Sequence, residues 1–416
     1  MAIQLDTMKF VDRYAGVFIC WILSTWRRLR LRFRKTPSSA GYTLQKVLFV
    51  ELSEMGSMVA AYPVMQDFRD RHPDAEFYFL TFKQNRACLD VLKLIPPENV
   101  LTLETTSLVI FARTMLGAIR RLRRLRLDAV IDFELFSRIS AILSYMAGAR
   151  FSAGFNRVNM EGLYRGTLHT HPVGYNHYTH ISRNFLALLR VLEGGTDEAA
   201  LLKEQLPSPA LPLAHPHLDE LRRTEIWNQL RSLCPELRAE SRLVILNPNA
   251  GNLLPIRAWP LQNYIELTRR LLQQPDICVL VMGTAEATGD AERMCRELPS
   301  PRLINFTEAT EFEDLIPLFS LADLLITNDS GPAHFASLTD TAILVFFGPE
   351  TPDLYRPLSQ KADVFYSSYH CSPCLTAYNH RTTRCTNNRC LQCITVDEVE
   401  AKARQSLERY RVTPRP

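Results

Sequence analysis

The sequence of 416 residues predicts an α/β protein with two doubly wound, Rossmann-like domains that face a central cleft. Three observations support this fold class. The chain is longer than one ordinary domain and long enough for two. Its 46% hydrophobic and 22% charged residues are typical of a globular protein. Short apolar runs alternate with helical patterns in both halves, which indicates parallel sheets covered on both faces.

Residues 1–40 form a basic and apolar N-terminal arm that we expect to associate with a membrane. The arm carries eight Lys and Arg against two Asp, whereas the rest of the chain carries 40 basic and 42 acidic residues. The apolar run Ala15–Trp26 precedes the basic run Arg27–Lys35. It is shorter than the roughly 20 residues of a membrane-spanning helix, so the pattern favours a segment lying on anionic lipid. A core helix with a basic tail and a tilted span are the alternatives.

Residues 41–194 are predicted to form the first Rossmann-like domain. The β-prone runs Lys46–Leu52 and Asp128–Leu135, with the run EFYFLTF between them, predict strands of a parallel sheet. A helical pattern follows the turn SEMGS. A basic amphipathic helix is predicted over Arg113–Asp128 as a surface element, with a membrane-facing side as the secondary interpretation.

Residues 195–240 contain five prolines and are predicted to link the two domains. Residues 241–395 then repeat the pattern of strand and polar turn, and residues 396–416 are predicted as a C-terminal helix. The strand-and-turn units of this half are Arg242–Gly251, Ile277–Glu286, Arg302–Glu308, Ala322–Gly331 and Ala342–Pro352.

The turn TNDSGPAHFASL (Thr327–Leu338) is a candidate ligand site. Ser330 is expected at the N-cap of a helix, and Gly331 allows a ligand to approach the backbone. A hydrolase nucleophile would lie between two glycines, and His334 is too close in sequence to complete a catalytic triad with Ser330. The stretch instead predicts a diphosphate site at a helix N-terminus, with His334 as an additional donor. A plain N-cap with a buried histidine is the alternative.

Three further polar turns are expected at the same edge of the second sheet. One of them contains Arg257, whose charge suits the neutralisation of a departing diphosphate. The three turns are Asn247–Pro260 with Asn249 and Gly251, Gly283–Asp290 with Glu286, and Phe347–Pro352.

These stretches, together with FGPETP, NPNAG, RAWP and VLFVELSEMGS, resemble glycosyltransferase family 9, the ADP-heptose:lipopolysaccharide heptosyltransferases. The resemblance extends over residues 44–400. It implies a GT-B fold, an inverting transfer that needs no metal or other cofactor for catalysis, and a nucleotide-diphospho-sugar donor held mainly by the C-terminal domain.

The resemblance also implies roles for individual residues. Arg257 matches the family's basic residue that stabilises the leaving diphosphate, and Glu286 lies near the acidic residue expected to bind the ribose hydroxyls. The loop Gly154–Asn184, rich in Arg, His, Tyr and Asn, is where the acceptor would bind. The donor-binding residues it implies are Asn249, Gly251, Gly283, Glu286, Asp329, Ser330, Gly331 and His334.

One departure from the family concerns the catalytic base. The family reads Met-Gly-Asp after the first strand, with the Asp as the proposed base, whereas this chain has Ser57 there. A serine hydroxyl is a poor base at neutral pH, and an inverting transfer needs a group that takes the acceptor's proton. We therefore expect Glu54 to be the base, with Asp132 and Glu134 as runners-up and a solvated turn residue as the alternative role of Glu54.

Five of the ten cysteines crowd into residues 371–393. Two Cys-x-x-Cys pairs separated by 15 residues fit a structural zinc site. The predicted ligands are Cys371, Cys374, Cys390 and Cys393, with Cys385 as an alternate. The other five cysteines are scattered and are interpreted as reduced thiols, which suits the cytoplasm.

The leading functional hypothesis is an inverting glycosyltransferase that moves a heptose-like sugar from an ADP-heptose-like donor to a lipopolysaccharide or lipid-linked acceptor. It would work at the cytoplasmic face of the inner membrane, as a peripheral or monotopic protein. A nucleic-acid partner is not expected, because the body of the chain has no basic excess. The alternatives are a catalytically inactive nucleotide-sugar-binding protein, which Ser57 favours, and a sugar-nucleotide epimerase of the same fold.

Overall fold

The structure, a computed structural model, describes residues 5–32, 39, 41–157, 163–194, 213, 215–251, 254–367, 369–379, 381–411 and 415–416. The chain separates into two compact units, residues 1–212 and 213–416. The N-terminal arm is part of the first unit. Within the predicted linker, residues 195–212 and 214 lie outside the described residues, and the remainder belongs to the second unit.

The first unit is built on a parallel sheet. Its strands are β1 (Lys46–Val50), β2 (Glu76–Phe82), β3 (Val100–Leu103), β4 (Ala129–Asp132), β5 (Phe151–Asn156) and β6 (His171–Gly174). Its helices are α1 (Leu5–Leu31), α2 (Met55–Arg71), α3 (Arg86–Leu92), α4 (Leu108–Leu125), α5 (Arg138–Met146) and α6 (Ile181–Gly194). The strands pair in the order β3-β2-β1-β4-β5-β6.

The second unit repeats this order with six further parallel strands. They are β7 (Arg242–Asn247), β8 (Ile277–Val281), β9 (Leu303–Asn305), β10 (Leu324–Asn328), β11 (Ala342–Phe347) and β12 (Ala362–Tyr366), in the order β12-β11-β10-β7-β8-β9. Its helices are α7 (Glu220–Leu233), α8 (Leu261–Leu271), α9 (Thr288–Glu297), α10 (Leu315–Phe319), α11 (Gly331–Ala336), α12 (Pro352–Tyr355), α13 (Arg389–Gln392) and α14 (Val396–Arg409). The predicted α/β class with doubly wound parallel sheets is confirmed.

Helices cover both faces of each sheet, which explains why the strands read as continuous apolar runs. In the first unit, Phe68 of α2 and Phe185 of α6 pack on one face, against Phe49 and Phe133 of the strands. On the other face, side chains of α4 and α5 share one core with apolar residues of β1 to β4.

Helix α1 packs on the first unit through a row of small residues spaced four apart, which share one helix face. A Cβ atom on Gly16 would lie 2.9 Å from the Cβ of Arg138, so α1 approaches α5 more closely than a larger residue would permit. Asp12 accepts hydrogen bonds from the backbone N–H groups of Arg138 (2.8 Å) and Ile139 (2.9 Å) and so caps α5. The row consists of Asp12, Gly16, Cys20 and Ser24.

A buried ion pair joins the end of β4 to a later loop of the first unit. Arg165 is fully buried and pairs with Asp132. Its guanidinium also donates to the backbone oxygens of Glu134 (3.1 Å) and Phe155 (3.0 Å) and to Ser140 Oγ (2.7 Å). An unpaired charge at this depth would strongly destabilise the fold. The burial of Arg165 is therefore tolerated only with Asp132 beside it, and that of Asp132 only with Arg165.

We expect Arg165→Met to lower the free energy of unfolding by about 3–5 kcal/mol, since it leaves the Asp132 carboxylate buried without its counter-charge. Urea denaturation followed by circular dichroism measures the change. Asp132→Asn added to Arg165→Met should recover part of the loss.

The matched control is Arg69→Met, which removes a surface arginine lying 3.8 Å from Asp70. It should lower the free energy of unfolding by less than about 1 kcal/mol. Equal losses for Arg165→Met and Arg69→Met would contradict a structural role for the buried pair.

Candidate functional site

The strand order of each sheet reverses direction between two neighbouring strands, β1 and β4 in the first unit and β7 and β10 in the second. Ligands of open parallel sheets bind outside the carboxyl ends of the strands at this switch point. Candidate residues of the sequence come at or directly after these four strand ends. They are Glu54 and Ser57 after β1, Asp132 and Glu134 at β4, Asn249, Gly251 and Arg257 after β7, and Asp329, Ser330 and Gly331 after β10.

In the first unit, Glu54 is the N-cap residue of α2 and Ser57 is the third residue of that helix. The backbone of Glu54 is extended (φ −123°, ψ 106°). Ser57 Oγ donates a hydrogen bond of 2.9 Å to Glu54 Oε2, and the Glu54 N–H donates to Glu51 Oε1 at 3.2 Å. The Glu54 carboxylate is therefore held against the serine that replaces the family's aspartate.

Glu134 and Asp132 have structural roles that the sequence did not indicate. Glu134 Oε1 accepts hydrogen bonds from the N–H groups of Leu52 and Ser53, both at 2.9 Å, and from Ser53 Oγ at 2.8 Å. Burial raises the pKa of Glu134 above its usual range, although these donors act in the opposite direction. Glu134 fixes the turn that carries Glu54, and Asp132 is engaged by Arg165, so both runners-up for the base are already committed.

The loop Gly154–Asn184, implied to bind the acceptor, is largely built into the fold. Arg165, His169 and His171 are buried. The ring of His169 lies 3.3 Å from Asp132 Oδ2, and burial lowers the pKa of this histidine. Tyr178 is exposed, while residues 158–162 lie outside the described residues. Arg165, His169 and His171 therefore stabilise the first unit, whereas Arg157 of the same loop is exposed and His177, His180 and Arg183 are half-buried.

In the second unit, Arg257 and Asp329 meet at the switch point. Arg257 Nη1 lies 3.4 Å from Asp329 Oδ2. Burial raises the pKa of Asp329, and the positive charge of Arg257 only partly offsets this shift. Arg257 Nε is buried and has no hydrogen-bond partner among the described residues. A buried charged donor without a partner is costly, so this guanidinium is suited to an anionic ligand.

The backbone of Ser330 lies at the predicted N-cap of α11, but its hydroxyl does not cap the helix. Ser330 Oγ lies 3.1 Å from the oxygen of Asn328 and 3.4 Å from Asn247 Nδ2. A Cβ atom on Gly331 would meet no atom of the described residues within 4 Å, so the helix start opens onto free space. His334 is buried one turn into α11.

Two glycines shape the neighbouring turns. Gly251 has a φ of +75°, and its N–H donates to Asn249 Oδ1 at 2.5 Å, a turn that favours glycine. A Cβ atom on Gly283 would lie 2.4 Å from the Cβ of Ala287, so glycine is needed where the short helix Ala285–Ala287 crosses it. Glu286 is on this short helix and is exposed at the end of β8.

Two asparagines that the sequence analysis missed hold the Arg257 loop in place. Asn328 Oδ1 accepts from the Trp259 N–H at 2.8 Å, and its Nδ2 donates to the oxygen of Pro248 at 2.8 Å. Asn388 Nδ2 donates to the oxygens of Ile256 (3.0 Å) and Ala258 (2.7 Å). Asn328 ends a strand and could have been suspected for that reason, whereas nothing in the sequence links Asn388 to this loop.

A second carboxylate and cation adjoin the pair of Arg257 and Asp329. Glu350, in the turn after β11, is buried, and burial together with the charge of Asp329 raises its pKa well above the usual range. Arg381 Nε lies 3.4 Å from Glu350 Oε1. The cysteine-rich segment thus contributes a charged residue next to the switch point of the second sheet.

The cysteine-rich segment contains a cavity of about 120 Å³. Burial raises the pKa of Cys390 to about 11, while Cys393 is exposed and lies off the cavity. In the part of the chain that the structure describes, no three His, Cys, Asp or Glu side chains are gathered closely enough to hold a metal ion. The cysteines that line the cavity are Cys371, Cys374, Cys385 and Cys390.

Comparisons with known proteins agree with this arrangement. The sequence profile described as "Glycosyltransferase family 9 (heptosyltransferase)" matches residues 115–383. Lipopolysaccharide heptosyltransferase 2 of Salmonella typhimurium is 28% identical over 159 residues, which cover 35% of this chain and 45% of that protein. The Escherichia coli protein of the same name is 27% identical over 121 residues, covering 28% of this chain and 34% of that protein. The chain thus spans less than half the length of these two relatives.

Solved structures show the same fold. E. coli ADP-heptose lps heptosyltransferase II has a TM-score of 0.68 at 20% identity, covering 88% of this chain and 99% of that chain. E. coli heptosyltransferase WaaC with ADP has a TM-score of 0.61 at 16% identity, covering 87% of this chain and all (100%) of that chain. With its two six-stranded parallel sheets, the protein therefore has the α/β fold of the GT-B class. Because the profile matches well over half of its length, the chain belongs to glycosyltransferase family 9.

Proposed function

We propose that the protein transfers a heptose-like sugar from an ADP-heptose-like donor to a lipopolysaccharide or lipid-linked acceptor, with inversion at the anomeric carbon. The observation that carries this proposal is Arg257. Its guanidinium is mostly buried beside Asp329, and its Nε has no partner among the described residues. A diphosphate is the ligand that suits such a cation best, because Asp329 beside it directly precedes the N-cap of α11.

In the proposed reaction, the acceptor oxygen attacks the anomeric carbon of the donor. The bond between that carbon and the diphosphate oxygen breaks, and the electron pair leaves with the nucleoside diphosphate. Arg257 stabilises the negative charge that develops on the diphosphate. The acceptor's proton passes to a carboxylate, so the step needs no metal or other cofactor for charge balance.

Glu54 is the proposed base. Its contact with Ser57, at 2.9 Å, supports this role, because the serine orients a carboxylate at the turn where the family has its aspartate. The same contact favours an enzyme over the alternative of an inactive nucleotide-sugar-binding protein. In the second unit, the proposed donor-binding residues remain Asn249, Gly251, Gly283, Glu286, Asp329, Ser330, Gly331 and His334.

A thermal-shift screen against ADP-, GDP-, UDP- and dTDP-sugars tests the donor site. We expect an ADP-sugar to raise the melting temperature most. Arg257→Ala should abolish this shift and lower turnover by about 10²- to 10³-fold, because it removes a donor to the leaving group. Arg257→Lys should retain part of the activity, since it keeps the charge but not the planar fork.

The control for this experiment is Arg231→Ala, which removes an exposed arginine of α7 in the same unit. It should leave both readouts unchanged. If no nucleotide sugar shifts the melting temperature of the wild-type protein, the donor assignment is wrong.

Glu54→Gln tests the base. We expect kcat to fall by about 10²- to 10⁴-fold with little change in the KM of the donor, because the loss of a general base affects the chemical step. Ser57→Ala should have a smaller effect, and Glu98→Gln, an exposed glutamate of the same unit, none. Kinetics with purified acceptor measure these changes. If Glu54→Gln keeps full activity, a group other than Glu54 takes the proton of the acceptor.

We propose that the cysteine-rich segment binds a structural zinc ion. The two Cys-x-x-Cys pairs support it, since thiolates are the ligands that zinc prefers. Cys371, Cys374, Cys385 and Cys390 line one cavity, and zinc binding would have to draw at least three ligands closer together than the structure places them. Metal analysis of protein purified under reducing conditions should find one zinc per chain. Cys374→Ser and Cys385→Ser should lose the zinc and melt at a lower temperature, while Cys393→Ser should keep it. Zinc-free wild-type protein would refute the site.

We also propose that the protein works at the cytoplasmic face of the inner membrane, where a lipid-linked acceptor is located. The excess of basic residues in the N-terminal arm and the aromatic residues of α1 support this location. None of the helices among the described residues is long and apolar enough to cross a membrane.

A further inference from the structure

We propose that the outward faces of α1 and α4 together form one surface that docks on an anionic lipid bilayer; we call it the docking surface. This inference deepens the membrane location proposed above and rests on it. Lipid binding is measured without donor or acceptor, however, so a failure here and a failure of the transferase proposal are distinguishable.

The exposed apolar side chains of the protein are concentrated on these two helices. Among the described residues, 16 large apolar side chains are exposed, and only three of them lie outside α1 and α4. Soluble proteins rarely leave apolar side chains clustered in this way unless the patch binds something. On α1 they are Phe10, Val11, Tyr14, Phe18, Ile19, Trp21, Ile22, Trp26 and Leu29, and on α4 Leu108, Val109, Ile110 and Leu116.

The orientation of α1 is the reverse of an ordinary packed helix. Its small residues, such as Gly16, Cys20 and Ser24, face the protein, and its large apolar residues face away. Helices normally bury their large apolar side chains. Trp21 is 57% exposed and Trp26 is 53% exposed, and tryptophan is enriched where a protein meets lipid headgroups. The face of α1 that carries the small residues packs on the rest of the unit. The face that carries the large apolar side chains is left exposed and can contact lipid.

The charge of the two helices suits anionic lipid. Helix α1 has two acidic residues, Asp6 and Asp12, against five Lys and Arg, and Asp12 is engaged by the backbone of α5. Helix α4 has no Asp or Glu in its 18 residues. Arginines beside the apolar side chains can extend to lipid phosphates while their stems stay on the apolar surface. They are Arg28 and Arg30 in the last turn of α1, Arg32 directly after it, and Arg113, Arg120 and Arg124 of α4.

Helix α5 joins the two halves of the docking surface. Cys20 of α1 packs with Ala141 and Ile142 of α5. On α4, Arg123 Nε donates to the oxygen of Met146 at the end of α5, at 2.9 Å. Because both helices are anchored to one rigid element, we expect α1 and α4 to bind lipid together and not as independent segments.

The experiment is flotation of the full-length protein with vesicles of phosphatidylcholine alone or mixed with phosphatidylglycerol. We expect binding to the mixed vesicles that weakens with added salt. The variant Phe18→Ser/Trp21→Ser/Ile22→Ser should bind the mixed vesicles at least about tenfold more weakly, because it replaces three apolar side chains that would contact the lipid. Leu108→Ser/Val109→Ser should weaken binding as well. Because the substituted side chains are exposed, we expect the variants to fold, and circular dichroism is the check on their folding.

The matched control is Leu221→Ser/Leu233→Ser, which removes two exposed leucines of α7 in the second unit and should not change binding. Three outcomes would overturn the proposal. They are no binding to mixed vesicles, equal binding by all variants, and weakened binding only for the α1 variant, which would exclude α4 from the surface. Dimers in solution that the α1 variant dissociates, without lipid binding, would assign the surface to a second copy of the chain.

Discussion

Parallel pairing of the described strands determines where the residues of the site lie. In a parallel sheet all carboxyl ends meet at one edge, so the turns that follow the strands are neighbours even when they are distant in the chain. Asn247 Nδ2 donates a hydrogen bond of 3.0 Å to Thr327 Oγ1, although the two residues are 80 positions apart in the chain. Reversal of the strand order between β7 and β10 leaves room at that edge, and Arg257 and Asp329 occupy it. The same constraint brings the turn of Glu54 to the edge of the first sheet.

Buried polar side chains then give these turns a fixed shape. A buried carboxylate or amide is stable only when its hydrogen bonds are made, and here the partners are backbone groups of the turns. Buried Glu134 binds the turn before Glu54, and buried Asn328 binds the loop of Arg257. Asn388, which is half-buried, binds the same loop. A change in the conformation of either turn would break these hydrogen bonds. The burial that raises the pKa of Glu134 is part of the same arrangement.

The sequence predicted the features that depend on neighbouring residues. Strands covered on both faces read as apolar runs that end in polar turns, so eight of the twelve described strands could be foreseen. The sequence analysis missed β3, β5, β6 and β12. Contacts between distant residues could not. The burial of Arg165 and His169 could not be predicted, because their partner Asp132 is far away in the sequence. Spacing alone could not indicate which of the clustered cysteines line the cavity, which are Cys371, Cys374, Cys385 and Cys390. The direction of the Ser330 hydroxyl depends on Asn247 and Asn328 of two strands, which an N-cap pattern does not specify.

Together, the proposals divide the work between the two units. Glu54 and Ser57 lie on one helical turn, so a carboxylate moved from the third helical position to the N-cap stays at the same switch point. The first unit therefore carries both the proposed base and the docking surface of α1 and α4, and the second unit carries Arg257 and the proposed donor site. A lipid-linked acceptor cannot leave the bilayer, whereas a nucleotide sugar diffuses freely. In these proposals the first unit contacts the membrane and carries the base for the lipid-linked acceptor. The second unit then needs only to bind the nucleotide sugar, which is soluble.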